Sequence, residues 1–157
     1  MKKSKVLILI LLVLFFFSGE ISGIVGTDFY LQAGAITDDS FAFDPFLWTV
    51  GVNFDLKLAG ILVISPELNL INHGFDFDYF LLEPALMVNF KFMGFFIGAG
   101  LNKFFLIGDG YGDSTDFSMK LNIGFKFSLI KIRLYCMFPF EDFFPPSIYG
   151  IMIGVKF

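Results

Sequence analysis

The sequence has one cysteine, Cys136, and one histidine, His73. A single cysteine excludes an intramolecular disulfide and any cysteine-based zinc site. A single histidine removes most histidine-based metal and catalytic arrangements. Beyond residue 23 the chain also lacks a long uncharged apolar run. Its longest stretch without a charge is Phe143 to Val155, thirteen residues, and this contains Pro145, Pro146 and two glycines. A membrane-crossing helix needs about 20 apolar residues, so no segment there reaches one. Basic residues are scarce too, with 11 Lys and Arg against 15 Asp and Glu. That balance argues against nucleic acid as a partner.

What is abundant is apolar surface. Apolar residues make up 56% of the chain and phenylalanine alone occurs 25 times. Soluble domains use about 45–50%, so something other than water is expected to face part of this chain. With no spanning helix, the backbone arrangement that satisfies its own hydrogen bonds in lipid is a closed β-barrel.

The N-terminus reads as an export signal. Lys2, Lys3 and Lys5 form a positive start, Val6 to Phe17 (VLILILLVLFFF) an apolar core, and SGEISGIVG a small-residue region suited to cleavage. The apolar core is too short to span a membrane. The expected division is a signal peptide over 1–23, cut after Gly23, and one domain over 24–157. No cysteine lies near the cut, so a lipid-modified N-terminus is not indicated. Without Lys2, Lys3 and Lys5 the 11 basic residues become 8, and without Glu20 the 15 acidic ones become 14. The exported part then carries about −6.

Eight segments alternate with period two. They run about Asp28–Ile36, Phe46–Lys57, Ile61–Ile71, Tyr79–Lys91, Phe95–Phe105, Asp116–Ser128, Lys131–Phe138 and Ile148–Phe157. The sixth is the clearest. Phe117, Met119, Leu121, Ile123, Phe125 and Phe127 alternate with Ser118, Lys120, Asn122, Gly124, Lys126 and Ser128. Short turns are expected near Leu58–Gly60, Phe92–Gly94 and Ser128–Ile130. Longer polar loops are expected at Thr37–Pro45, Asn72–Asp78, Leu106–Thr115 and Phe140–Ser147. Strands of this length suit a tilted membrane crossing, and short turns alternating with long loops suit an outer-membrane barrel.

Volume decides which face meets lipid. One face is bulky on every segment; the other is Gly, Ser, Asn, Lys, Glu and Met. An eight-stranded barrel has an interior just wide enough for side chains. The bulky face is therefore expected outside, and a soluble lipocalin-like ligand-binding barrel, with that face inside, is the less favoured arrangement. The expected fold is an all-β, eight-stranded, antiparallel, up-and-down transmembrane barrel.

In this pattern the chain resembles the small eight-stranded outer-membrane barrels of the OmpA/OmpX type. The resemblance covers the signal peptide, the amphipathic strands, the loop alternation and the closing strand. In that family a last strand ending in Phe resembles the signal read by the outer-membrane assembly machinery. The resemblance implies that Tyr149, Ile151, Ile153, Val155 and Phe157 form the recognition strip. It also implies periplasmic chaperones and outer-membrane lipid as partners, and a monomer in the outer membrane of a double-membraned bacterium.

Candidate chemistry is thin. Some barrels of this architecture modify lipid A with a histidine-based acyl-transfer site. Here His73, beside Gly74 in the second long loop, has no serine next to it, only Ser65 and Ser147 elsewhere. A lone loop histidine is more often a solvated polar residue, so no catalytic residue and no cofactor is expected. A narrow pore or hydrophobic-ligand conduit is the alternative, with the interior glycines either opening space or accommodating Tyr135, Met87 and Met152. Packing is preferred. Glu67 and Glu83 sum to 150 and are expected nearly opposite one another inside the barrel. Two close carboxylates need a cation, which Lys120 supplies, with Arg133 nearby; the four are expected to plug the lumen.

The loops hold nine acids and no Lys or Arg: Asp38, Asp39, Asp44, Asp76, Asp78, Asp109, Asp113, Glu141 and Asp142. GDGYGD (Gly108–Asp113) does not fit an EF-hand loop and reads first as a turn, with Asp109 and Asp113 weak metal candidates. Acids gathered on one rim attract divalent cations, so weak Ca²⁺ or Mg²⁺ binding is expected there.

Overall fold

The computed structural model describes residues 24–38, 47–58, 61–74, 79–108, 114–139 and 148–157. Nine strand segments occur in them. These are β1 (Ile24–Asp38), β2 (Leu47–Leu58), β3 (Leu62–His73), β4 (Tyr79–Phe92), β5 (Phe95–Asn102), β6 (Phe105–Gly108), β7 (Ser118–Phe127), β8 (Ile130–Pro139) and β9 (Ile148–Lys156). Every pairing is antiparallel; each joins neighbours in the chain except β4–β6, β5–β7 and the closing pair β1–β9. The sheet therefore closes on itself as an eight-stranded barrel, with β5 and β6 forming one interrupted strand.

That interruption differs from the single strand expected over Phe95–Phe105, and it has a simple cause. β5 and β6 keep one register against β4, as Ala85↔Asn102 and Leu82↔Phe105 show. The gap falls at Lys103 and Phe104, opposite Pro84 and Glu83. Lys103 N–H donates to Pro84 O at 3.2 Å, but proline has no N–H to return. Pro66 has the same effect on the other side: the β2–β3 ladder breaks between Asn53↔Glu67 and Leu56↔Ile64, across Ser65 and Pro66.

Strand ends also extend further than period two alone indicates. Asp38, His73 and Gly108 close β1, β3 and β6, so Thr37, Asn72, His73, Leu106 and Ile107 belong to strands rather than loops. Neighbouring strands supply hydrogen-bond partners that polar composition conceals. At the opposite end the turns are tight. Met93 and Gly94 both have positive φ (47° and 90°), the sign pattern of a type I′ hairpin that matches strand twist.

Side-chain parity is the one the volume argument requires. Tyr30, Gln32, Asn53, Ser65, Glu67, Glu83, Met87, Lys120, Arg133, Tyr135 and Met152 are buried inside, while Leu31, Val50, Leu68, Leu86, Ile97, Ile123, Leu134 and Ile153 are exposed outside. Outward aromatics form two rings. Phe29, Phe54, Phe90, Phe95, Phe125 and Phe157 lie toward the tight turns; Trp48, Phe80, Phe105, Phe117 and Tyr149 lie toward the longer connections. Between the rings the outward positions are aliphatic apart from Cys136 and Lys103. Phe95 to Phe105 is ten steps along one tilted strand, about 25 Å of vertical height at ~3.3 Å per residue and ~40° tilt, the height of the apolar band on transmembrane barrels.

Candidate functional site

The lumen is where this chain concentrates its chemistry. Period two turns every even residue of β1 and β7, and every odd residue of β2, β3, β4 and β8, toward the axis. Polar residues at those positions meet across the barrel in two layers.

The upper layer contains all four expected residues. Lys120 Nζ lies 2.8 Å from Glu83 Oε1 and 3.3 Å from Glu67 Oε2. Arg133 Nη1 donates to Glu67 Oε1. Lys120 and Glu83 are fully buried, Arg133 is 1% exposed and Glu67 5%. Amides complete the layer: Asn69 donates to Glu83 Oε2 at 3.0 Å, Asn102 to Glu83 Oε1 at 3.1 Å, and Gln32 to Asn69 at 2.7 Å. Arg133 Nη2 reaches Gln32 Oε1 at 3.3 Å, and the Lys120 ammonium lies 4.5 Å from the Tyr135 ring centroid. Two carboxylates meet two cations, so the layer is neutral.

Glu67 and Glu83 are not direct partners across β3 and β4. The register pairs Glu67 with Ala85 and Asn69 with Glu83, a sum of 152 rather than 150. The two carboxylates sit diagonally, which is the space Lys120 enters.

A second layer lies nearer the tight turns, and only its lysines stand out from the sequence. Asp28 is bridged by Lys57 at 2.9 Å, by Lys156 at 2.6 Å and by Lys126. Asp55 holds Lys131 at 2.8 Å and accepts a 2.8 Å hydrogen bond from Ser65. Lys131 and Lys126 flank the Tyr30 ring, 5.0 and 4.9 Å from its centroid. The signal was available: Asp28 has the parity of Tyr30 and Gln32. Beside this layer Asp55, Lys57, Lys91, Lys126 and Lys131 line a space of about 20 Å³, about what one water needs.

Most interior glycines serve close approach. A Cβ at Gly150 would overlap the Tyr135 ring, and one at Gly124 would overlap Phe96. The ring fills the volume the glycine vacates.

The other candidates are scattered. His73 is exposed at the end of β3. Ser65 is buried eight steps down the same strand, about 26 Å away, and bonded to Asp55. The two cannot form a nucleophile and base. Ser147 lies outside the described residues, as do Asp39, Asp44, Asp76, Asp78, Asp109, Asp113, Glu141 and Asp142; Asp38 is exposed at the tip of β1. Among the described residues no group of three or more His, Cys, Asp or Glu side chains could hold a metal. In β9, Ile151, Ile153, Val155 and Phe157 are exposed on the outward face and Tyr149 is partly buried. Phe157 N–H donates to Phe29 O at 3.0 Å, so the last residue is tied to the first strand. Residues 1–23 lie outside the described part.

A closed antiparallel barrel with an apolar exterior and a polar, filled interior is the fold of the transmembrane β-barrels. Solved structures agree at that level. The chain is similar to a de novo designed transmembrane β-barrel, with a TM-score of 0.55 and 9% identity over 83% of this chain and 95% of the other. It is similar to the designed barrel TMB2.3, solved by solution NMR, with a TM-score of 0.50 and 8% identity over 87% and 97%. A looser likeness, TM-score 0.40 and 11% identity over 83% and 96%, is to Ail, the attachment invasion locus protein of Yersinia pestis, in complex with the heparin analogue sucrose octasulfate. No family model and no curated protein matches the chain.

Proposed function

We propose that this chain is an exported outer-membrane barrel of the OmpA/OmpX type, non-enzymatic, with a plugged lumen and a structural or surface-interaction role. The observation that carries this reading is the upper layer. Lys120, Glu67, Glu83 and Arg133 are buried and bonded to one another across the axis. Nothing the size of a solute passes such a layer without breaking its bonds. The exterior supports the membrane assignment: apolar side chains between two aromatic rings are what a bilayer core and its two interfaces solvate. Export through a cleaved signal over 1–23, and assembly read from the closing strand, complete the proposal. The acidic loops are its interaction surface, with divalent cations bridging them to neighbouring lipid or to a cationic partner.

Two measurements test it. In planar bilayers the refolded protein is expected to give no steady, large conductance; such a conductance would refute the plug. Trp48, the single tryptophan, lies on the outward face. Its fluorescence is expected to be quenched by lipids brominated on their acyl chains. Full emission in those lipids would refute the membrane assignment.

A further inference from the structure

Among the described residues, one charged side chain occupies the outward face between the strand ends: Lys103. Every other charged residue within the ladders has lumen parity. Lys103 falls in the gap between β5 and β6, and its N–H donates to Pro84 O at 3.2 Å. Its ammonium lies 5.5 Å from the Phe105 ring centroid and 5.3 Å from that of Phe117. Both rings belong to the aromatic girdle on the long-connection side. No ion pair to Lys103 occurs among the described residues, although carboxylates claim six of the lumen cations.

Its height is informative. Lys103 is eight steps above Phe95 of the lower girdle, about 20 Å of a ~25 Å apolar band. A lysine at mid-membrane is costly, whereas at the interface the cost nearly vanishes because the side chain reaches the headgroups. Its backbone lies about 5 Å inside the upper edge of that band, a distance a lysine side chain spans to bring its ammonium to the lipid phosphates. Two aromatic faces hold its ammonium there by cation–π attraction, strongest where water is scarce. Leu101 below and Leu82 on β4 are aliphatic, suited to acyl chains.

We propose that Lys103, held between Phe105 and Phe117, is a binding site for the phosphate of an anionic lipid in the leaflet on the long-connection side. The proposal rests on the reading that the outward face meets lipid. A lipid is favoured over a soluble anion by position: the ammonium is on the barrel wall within the girdle, not in the lumen or at a loop tip. Its chains would run down the aliphatic band while its phosphate meets Lys103, an arrangement a free anion cannot use.

The test is native mass spectrometry of refolded, detergent-solubilised protein. Dioleoyl phosphatidylglycerol and a galactosyl diacylglycerol with the same chains are the probes. Wild type and Lys103→Arg are expected to retain the anionic lipid over the neutral one. Lys103→Met is expected to lose that preference by about tenfold or more, the loss of one charge-assisted hydrogen bond. Lys103→Gln, which keeps a polar tip without charge, is the second variant should Lys103→Met not refold. Equal retention by the neutral variants would overturn the proposal. Displacement of the lipid from wild type by 10 mM inorganic phosphate would overturn the lipid assignment in favour of a soluble anion. Quenching of Trp48 by brominated lipid, measured on the same preparations, separates failure of this site from failure of the membrane reading.

Discussion

Replacing Lys120 by methionine should be among the most damaging single changes in this barrel. The substitution keeps most of the side-chain volume, so it removes charge with little change in packing. Lys120 Nζ is 2.8 Å from Glu83 and 3.3 Å from Glu67. With an effective dielectric of about 20, each contact corresponds to about 5–6 kcal/mol of gross attraction. Burying the ammonium costs several kcal/mol of hydration, so the net worth of the cation is much smaller. What remains after Lys120→Met matters more. Glu67 keeps Arg133, but Glu83 keeps only the amides of Asn69 and Asn102. A buried carboxylate stripped of its cation typically costs about 3–5 kcal/mol. The expected loss is therefore about 3–5 kcal/mol, read from urea unfolding of the refolded protein in lipid vesicles with Trp48 emission as the signal. Lys120→Met with Glu83→Gln removes both charges and should recover more than half of it. A loss below about 1 kcal/mol, or a double variant no more stable than Lys120→Met alone, would refute the reasoning.

Gly150→Ala places a methyl group into the Tyr135 ring and should cost about 1–3 kcal/mol by the same urea assay; combining it with Tyr135→Leu should relieve most of that. Pro84→Ala supplies the N–H missing opposite Lys103 and should raise stability by about 0.5–1.5 kcal/mol, with slower amide exchange at positions 102–105. Millimolar Ca²⁺ or Mg²⁺ should raise the melting temperature in detergent over a chelator control at fixed ionic strength, because a ligand of the folded loops stabilises by mass action. The rise should vanish when Asp38, Asp39, Asp44, Asp76, Asp78, Asp109, Asp113, Glu141 and Asp142 are neutralised.

Much of the architecture is legible in the sequence because a strand is the one element whose facing can be read residue by residue. Parity places Glu67, Glu83, Lys120 and Arg133 in one lumen, and side-chain volume places Leu, Ile and Phe outside it. Parity does not carry stagger. The offset between Glu67 and Glu83 depends on the register of β3 against β4, and a shift of two in the sum is invisible to alternation. Proline is a second blind spot: Pro66 and Pro84 keep the pattern while interrupting the ladder. The lower layer is hidden for another reason. Asp28 stands at the start of the first alternating segment, where an acid reads equally well as a solvated end. Its three lysines come from β2, β7 and β9 and meet it only once the barrel closes. Lys103 is missed because it falls in the gap opposite Pro84, inside a segment that alternation reads as one unbroken strand over Phe95–Phe105.

The lumen also bears on how the barrel closes in one register. Because the side-chain period is two, slipping one strand by a residue sends its polar positions into lipid, and slipping by two preserves the facing but changes the partners. Alternation guards against the first error and not the second. The upper layer guards against the second. Its members come from β1 (Gln32), β3 (Glu67, Asn69), β4 (Glu83), β5 (Asn102), β7 (Lys120), β8 (Arg133) and β9 (Met152, 2.9 Å from Arg133 Nη2). β2 is tied in the lower layer through Asp55 to Lys131 of β8 and Ser65 of β3. A two-residue slip of β7 would move Lys120 about 7 Å along the axis of its strand and leave Glu83 without a cation. The same bonds that fill the lumen therefore penalise the registers that hydrophobic patterning alone would tolerate. The buried charges have a structural reason to be there, one that requires neither a transported solute nor a reaction.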